Sequence, residues 1–156
     1  MIDAPTLLRE FCDAVEKKDG RRFAALFCED GVYHDVFYGA FAGRAKIAEM
    51  IEDHFYATAD DFRWDMVEPV TDGATLYTRY LFSYRSQLPE ARGGRVMFEG
   101  VSILKLREGK IAEYREVANT APGFVDMGFA PERIAKIVKR QGDQLKKRPE
   151  MNRHLS

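Results

Sequence analysis

Asp35 is the residue of this sequence whose surroundings best suit proton-transfer chemistry. It alternates with Tyr33 and Phe37 along the strand-like segment VYHDVF. A charged carboxylate among aromatic side chains is costly, so burial raises its pKa toward neutrality, where a general base works best. The alternative interpretation is that Asp35 lies at a solvated pocket rim or caps a neighbouring backbone amide.

Glu116 and His54 are the two further catalytic candidates. Glu116 lies between Tyr114 and Ala118 on one face of a later strand-like segment, where a solvated acid would also fit. If Glu116 and Asp35 share one cavity, their repulsion keeps a proton on one carboxyl group and leaves an acid and a base. His54 lies on the apolar stripe of a helix, which suits either a catalytic histidine or one in the core or pocket wall.

Most of the candidate ligand-binding residues are aromatic and lie on predicted strands. Side chains alternate between the two faces of a strand, and one face of each later strand is richer in aromatic or small residues. We assign that face to a helix-covered concave side, where an apolar pocket would lie. The pocket residues predicted in this way are Tyr33, Phe37, Trp64, Tyr80, Phe82, Tyr84, Phe98, Ser102 and Tyr114. Trp64 also fits a plain core position.

Hydrophobic periodicity and turn residues predict the elements that carry these side chains. Helical spacing of apolar residues predicts helices over residues 5–18, 21–28, 44–57 and 131–147. Alternation predicts strands over residues 32–37, 62–69, 74–85, 95–106 and 111–119. Asp30-Gly31, Asp72-Gly73 and Glu108-Gly109 predict tight turns. The order predicts an α+β fold, with helices on one face of a bent antiparallel sheet.

The opposite face of the predicted sheet mixes aliphatic residues with charges of both signs. Leu81, Val101, Ile103 and Val117 are its aliphatic members. We expect four charged residues to pair across this outer face, namely Arg79, Glu99, Glu113 and Arg115. Such a surface suits a homodimer interface.

Composition excludes several classes of function. The 156 residues carry a net charge of −1, without the basic face that a nucleic-acid partner requires. No apolar run approaches the ~20 residues that span a bilayer, so we expect a cytoplasmic protein without a membrane partner. The spacing of histidines and cysteines predicts no metal site, and no cofactor-binding motif is present.

Two stretches resemble a known family. Residues 19–51, which include GVYHDVFYGAFAGRAKIAEMI, and the ending LKLREGKIAEYREV at 104–117 are similar to SnoaL-like members of the nuclear-transport-factor-two-like superfamily. The resemblance implies a cone-shaped α+β barrel with one pocket, usually dimeric through its outer sheet face. It covers about residues 5–120 of a single domain, 1–156, with a C-terminal helical extension at about 131–147.

The resemblance implies that this chain retains some catalytic residues of the family's enzymes and lacks others. The base of ketosteroid isomerase corresponds to Asp35, whereas its tyrosine and acid donors correspond to Phe11 and Ser102. Epoxide-hydrolase relatives use an arginine with two aspartates, for which we find no inward equivalent. Scytalone-dehydratase relatives use a histidine pair, of which only His54 is an inward candidate.

Three functions are therefore open from the sequence. The first is an isomerase, dehydratase or cyclase that moves a proton within a small, largely apolar carbonyl or hydroxyl compound. The second is a non-catalytic protein that binds a hydrophobic ligand in the same pocket. The third is a dimeric interaction module whose pocket is vestigial.

Overall fold

The computed structural model describes residues 3–156, so residues 1 and 2 of the predicted domain lie outside it. Its helices are α1 (Ala4–Glu16), α2 (Gly20–Ala24), α3 (Arg44–Glu49), α4 (Ala121–Asp126) and α5 (Pro131–Lys146). A π-helical segment, Met50–Phe55, extends α3, and short 3-10 helices follow Leu88 and Arg148. None of the helices within 3–156 has the length and apolar character needed to cross a membrane. Helix α4 was not evident from the sequence.

Aspartates begin the first two helices. The Asp3 carboxylate accepts a hydrogen bond from the Thr6 N–H at 2.8 Å, and Asp19 does the same for the Arg22 N–H at 2.9 Å. These caps satisfy amides that have no partner within the helix. The apolar stripe of α1 is buried as predicted, and Phe11 on it is fully enclosed.

Six strands form one sheet in the order β2-β1-β6-β5-β4-β3. Their bounds are β1 (Phe27–Asp35), β2 (Gly39–Ala42), β3 (Ala59–Thr71), β4 (Thr75–Ser86), β5 (Arg95–Arg107) and β6 (Lys110–Asn119). The α+β class is confirmed. The sheet is mixed rather than wholly antiparallel, because β1 runs parallel to β6 while every other pair is antiparallel.

The region around β1 differs most from the prediction. Helix α2 ends at Ala24, and Phe27 already belongs to β1. Asp30-Gly31 lies inside the strand rather than in a turn, at an irregularity in the pairing with β6. Gly31 fits there because an added Cβ would lie 2.9 Å from the Cys28 carbonyl oxygen. Residues 39–42, which lie between the predicted strand 32–37 and the predicted helix 44–57, form β2.

Gly43 and Arg44, which lie in the first stretch that resembles the family, have a structural role. Gly43 has a φ of +86°, which favours glycine, and its N–H donates to the Gly31 carbonyl at 2.8 Å. Arg44 Nε donates to the Phe27 carbonyl at 2.9 Å. The pair therefore ties the start of α3 to β1, the strand that carries Asp35.

The predicted alternation is confirmed on the long strands. In β4, Tyr80 and Phe82 are buried, whereas Tyr77 and Leu81 are 48% and 45% exposed. Ile111 is an exception, because alternation from Val117 on the same strand predicts the outer face, whereas Ile111 is fully buried. A shift between β5 and β6 leaves one extra residue in β6 and so turns Ile111 inward.

The charged residues of the outer face pair as predicted. Arg79 contacts Glu99 at 4.0 Å and also Glu68 at 3.0 Å, and Arg115 contacts Glu113. These pairs are exposed, so each contributes little to stability. They describe a surface that carries charge of both signs between its apolar side chains.

Candidate active site

A cavity of about 520 Å³, counted to its open mouth, lies on the concave side of the sheet. Nine of the predicted site residues line it: Tyr33, Asp35, Phe37, Trp64, Tyr80, Phe82, Tyr84, Phe98 and Glu116. Aromatic rings form most of the wall, and edge-to-face contacts join Phe82 to Trp64 and Phe98 at centroid distances of 4.7 and 5.3 Å. The rings favour a ligand with apolar, flat surfaces.

Asp35 lies at the end of β1 and lines this cavity. Its Oδ2 accepts hydrogen bonds from the backbone N–H groups of Phe37 at 2.8 Å and Tyr38 at 2.9 Å. Burial raises the Asp35 pKa to about 6, although these two bonds and the nearby His54 favour its charged form. Asp35 thus caps a turn and also faces the cavity, and at neutral pH it is mainly a carboxylate.

Glu116 reaches the same cavity from β6. Its Oε2 accepts a hydrogen bond from the Tyr114 hydroxyl at 2.9 Å. Burial, followed by repulsion from Asp35, raises the Glu116 pKa to about 8. Like Asp35, Glu116 keeps partial solvent exposure because it faces an open cavity, while protein atoms surround its other sides. Because its pKa is about 8, Glu116 mainly retains its proton at neutral pH.

The two carboxyl groups thus differ in protonation state. The cavity holds a carboxylate that can take a proton and a carboxylic acid that can give one, and both lie among aromatic side chains. An environment that separates two carboxyl pKa values in this way is a recurring arrangement for acid and base catalysis. Within residues 3–156, no three His, Cys, Asp or Glu side chains come together as a metal site.

Ser102 and Tyr114 do not line the cavity, contrary to the prediction. Both are fully buried, because the Tyr114 ring stacks against Tyr33 at 4.3 Å and against Phe11 at 5.3 Å within the core. The Ser102 Oγ lies 2.8 Å from the Tyr114 hydroxyl. Ser102, Tyr114 and Glu116 therefore form a hydrogen-bonded chain behind the cavity wall.

His54 also lies outside the cavity lining. Its ring packs against Tyr38 at 5.4 Å and Phe41 at 5.1 Å, and its Nδ1 is 3.5 Å from the Glu49 carbonyl oxygen. His54 belongs to the π-helical segment and favours the charged form of Asp35 electrostatically. A direct catalytic role is therefore not supported by its position.

The sequence prediction of the cavity missed six lining residues. They are Val36, Tyr38, Phe55, Thr58, Ala59 and Phe62. Phe62 precedes Trp64 by two positions and so shares its strand face, a signal that was available from alternation. Phe55 likewise shares the apolar helical stripe with His54. Val36 and Tyr38 follow Asp35 in a turn, which periodicity does not describe.

Two polar atoms of lining residues have no hydrogen-bond partner in residues 3–156. They are the Tyr80 hydroxyl and the Trp64 Nε1–H, and both atoms are buried. The Tyr80 hydroxyl is close enough to the Glu116 carboxyl to lower its pKa, although the two groups do not have the geometry of a hydrogen bond. Both are side chains that the sequence placed in the pocket.

Comparison with known proteins gives one family and a common fold. The model of the SnoaL-like domain family matches residues 8–114. None of the curated protein sequences compared with the chain is significantly similar to it.

Solved structures match most of the chain at low sequence identity. TsrD from Streptomyces laurentii shares 17% identity, with a TM-score of 0.69, over 82% of this chain and 98% of that chain. A protein of ketosteroid isomerase-like fold from Catenulispora acidiphila, in complex with trimethylamine, shares 15%, with a TM-score of 0.70, over 83% and 98%. An LEH-like epoxide hydrolase from M. tuberculosis shares 17%, with a TM-score of 0.63, over 86% and 92%. Identities this low show a shared fold alone.

Proposed function

The chain belongs to the SnoaL-like domain family, and on this basis we propose that it is an enzyme that moves a proton within a small, largely apolar carbonyl or hydroxyl compound. Its reaction would be of the isomerase, dehydratase or cyclase type and would need no cofactor. The observation that carries the proposal is the pair of carboxyl groups, with pKa values of about 6 and about 8, in one aromatic cavity.

Asp35 would act as the general base. Both of its backbone hydrogen bonds go to Oδ2, so Oδ1 is left to take a proton from the substrate. The turn that these bonds fix also holds the side chain in one orientation, which suits a base that must meet a particular C–H or O–H bond. Its pKa near neutrality suits proton transfer in both directions.

Glu116 would act as the general acid. Tyr114 fixes one carboxyl oxygen from behind, which orients the group toward the cavity. Asp35 is mainly charged above about pH 6 and Glu116 mainly protonated below about pH 8, so both are in their working forms between these values. In this range Asp35 takes a proton, Glu116 gives one, and the reverse transfers restore both groups.

The cavity differs from two known types of site in the same superfamily. The positions that correspond to the ketosteroid isomerase donors are Phe11, which is core, and Ser102, which bonds Tyr114. No arginine lines the cavity among residues 3–156, whereas epoxide-hydrolase relatives use one. These differences argue against both specific reactions by their usual residues.

A non-catalytic carrier of an apolar ligand is the alternative. Burial of two acids lowers the stability of the folded protein whenever they ionise, and a carrier of apolar compounds gains nothing from such acids. The open cavity likewise argues against an interaction module with a vestigial pocket. The enzyme proposal accounts for both the raised pKa values and the open cavity.

Solvent exchange tests the proposal without knowledge of the natural substrate. We expect the protein to catalyse deuterium incorporation from D2O at carbons next to the carbonyl in some members of a panel of ring-containing ketones. NMR or mass spectrometry measures the exchange, and the Asp35→Asn variant is the reference. Binding without exchange across the panel would identify a carrier, and neither binding nor exchange would favour an interaction module.

We further propose that the chain forms a homodimer through the outer face of its sheet. This surface exposes large apolar side chains: Tyr77, Leu81, Met97, Val101 and Val117. They lie on three adjacent strands, between ion pairs that could also form across a two-fold axis. Exposed apolar side chains grouped on adjacent strands are typical of a protein–protein interface.

Light scattering coupled to size exclusion tests the dimer. We expect a mass near twice the 17.9 kDa of one chain at micromolar concentration. The Val117→Lys substitution should weaken association at least about tenfold, because it buries an unpaired charge in the interface. Val125→Lys is the matched control, since Val125 is equally exposed but lies on α4. A wild-type monomer, or equal effects of the two variants, would contradict this arrangement.

A further inference from the structure

The cavity contains two acidic side chains and, among residues 3–156, no basic one. Asp35 and Glu116 line it, whereas no Lys, Arg or His side chain does. In the same part of the chain no Lys or Arg acts on either carboxyl group, and only His54, outside the lining, favours the charged form of Asp35. A carboxylate taken out of water is costly unless a positive charge lies nearby. A positively charged ligand would offset that cost.

At neutral pH the two acids carry one negative charge between them. Asp35, with a pKa of about 6, is mainly ionised, whereas Glu116, with a pKa of about 8, is mainly protonated. Burial and then repulsion from Asp35 raise the Glu116 pKa, so the two groups lie within range of each other's charge. A ligand with a single positive charge therefore balances the charge of this site.

Aromatic rings surround the carboxylate. Ten of the fifteen residues that line the cavity are Phe, Tyr or Trp. Burial raises the pKa of three of them, Tyr38, Tyr80 and Tyr84, and the charge of Asp35 adds to the effect in each. These rings are therefore close to the carboxylate. The face of an aromatic ring attracts a cation, and rings of this kind are the usual means of binding an alkylated ammonium group.

The lining also favours an alkylated nitrogen over a primary amine. A primary ammonium group has three N–H donors that each need an acceptor, whereas the cavity offers mainly aromatic rings. Asp35 Oδ2 already accepts hydrogen bonds from the Phe37 and Tyr38 N–H groups, which leaves Oδ1 as its free oxygen. A tertiary ammonium group needs one acceptor and a quaternary group needs none, so their alkyl groups can contact the rings instead.

We propose that the cavity binds an organic cation, and that the substrate carries a tertiary or quaternary ammonium group beside the Asp35 carboxylate and the aromatic wall. The inference rests on the proposed function, because it names the substrate class of the same site. A quaternary nitrogen has no N–H group, so it leaves Asp35 Oδ1 free to take a proton from the substrate. Its charge also makes a neighbouring C–H or O–H group more acidic, because it favours the charged form that remains after proton loss.

Binding of choline and of its neutral counterpart 3,3-dimethylbutan-1-ol tests this inference. The two compounds have the same shape and hydroxyl group, and differ in a positively charged nitrogen that carbon replaces. We expect the wild type to bind choline at least about tenfold more tightly than the alcohol in isothermal titration calorimetry at pH 7. The comparison uses the unaltered protein, so it does not depend on the folding of any variant.

The Asp35→Asn variant tests the contribution of the carboxylate. It should bind choline about tenfold more weakly than the wild type and bind 3,3-dimethylbutan-1-ol as the wild type does, because it removes the charge and keeps the shape. Binding of the alcohol also shows that the cavity of the variant is intact. Asp65→Asn removes an exposed acid from β3 and should change neither affinity.

The outcomes separate this inference from the function on which it rests. A preference for choline that Asp35→Asn removes supports the inference even if the wild type catalyses no exchange, in which case the enzyme proposal alone fails. Equal affinities of the wild type for the two compounds, or no binding of choline, overturn the inference, while exchange in neutral ketones would leave the proposed function in place. A preference that Asp35→Asn retains, or that Asp65→Asn weakens equally, also overturns it.

Discussion

The Asp35→Asn variant should catalyse carbon-proton exchange about a hundredfold more slowly than the wild type, or slower still, which is the usual scale for loss of a general base. The asparagine oxygen can still accept the two backbone bonds that Asp35 Oδ2 accepts from Phe37 and Tyr38. The turn that follows Asp35 is therefore kept, and only the basicity is lost. Exchange rates by NMR and ligand affinity by equilibrium dialysis measure the two effects separately.

Asp65→Asn is the matched control for this substitution. Asp65 is an exposed acid on the outer side of β3, so its variant should keep the wild-type exchange rate. Asp35→Asn should also fold normally, because it removes a carboxyl group that burial already makes costly to ionise. If Asp35→Asn retained full exchange activity, Asp35 would be only the cap of its turn.

The stability of the wild type should fall as the pH rises from about 4.5 to about 8, and the Glu116→Gln variant should lose most of that decline. The folded state raises the Glu116 pKa from 4.5 to about 8, so it binds the proton more tightly than the unfolded chain does. The stabilising effect is complete below the unfolded value and is lost as the pH rises through the folded one. Allowing for partial exposure and for coupling to Asp35, we expect the contribution of Glu116 to the free energy of unfolding to fall by an amount on the order of 3 kcal/mol over this pH range.

Urea unfolding at a series of pH values measures this dependence. Asp35 contributes in the same direction over a lower range, because its pKa is raised from 3.8 to about 6. The Glu116→Gln curve should therefore still decline between these values but flatten above them. A wild-type stability that stays constant or increases from about pH 5 to pH 9 would show that Glu116 is ionised in the folded protein, and the acid role would fail.

Alternation along long strands made much of the wall predictable. Tyr80, Phe82 and Tyr84 point inward because β4 is regular over its pairing with β5. The same rule failed for Ile111, because one extra residue in β6 reverses the faces and no turn residue marks the position. A period of two carries no information about where it is interrupted.

The sequence also did not show which inward-facing residues are covered by a helix and which line the cavity. Tyr114 and Glu116 share a strand face, yet only Glu116 reaches the cavity, since α1 packs Phe11 against the Tyr114 ring. Strand alternation gives the side of the sheet, while the helix that covers it decides which residues remain open. The position of His54 depended in turn on a π-helical segment, which apolar spacing does not distinguish from an α-helix.

The hydrogen-bonded chain of Ser102, Tyr114 and Glu116 has a consequence for how this protein can evolve. It orients the acid from inside the core, whereas Phe98 and Tyr84 line the cavity and take no part in that chain. Substitutions at Phe98 or Tyr84 therefore reshape the space for a substrate and leave the orientation of the acid unchanged. New specificities can accumulate in such a scaffold without rebuilding its chemistry, and a mutant library at these two positions would sample them directly.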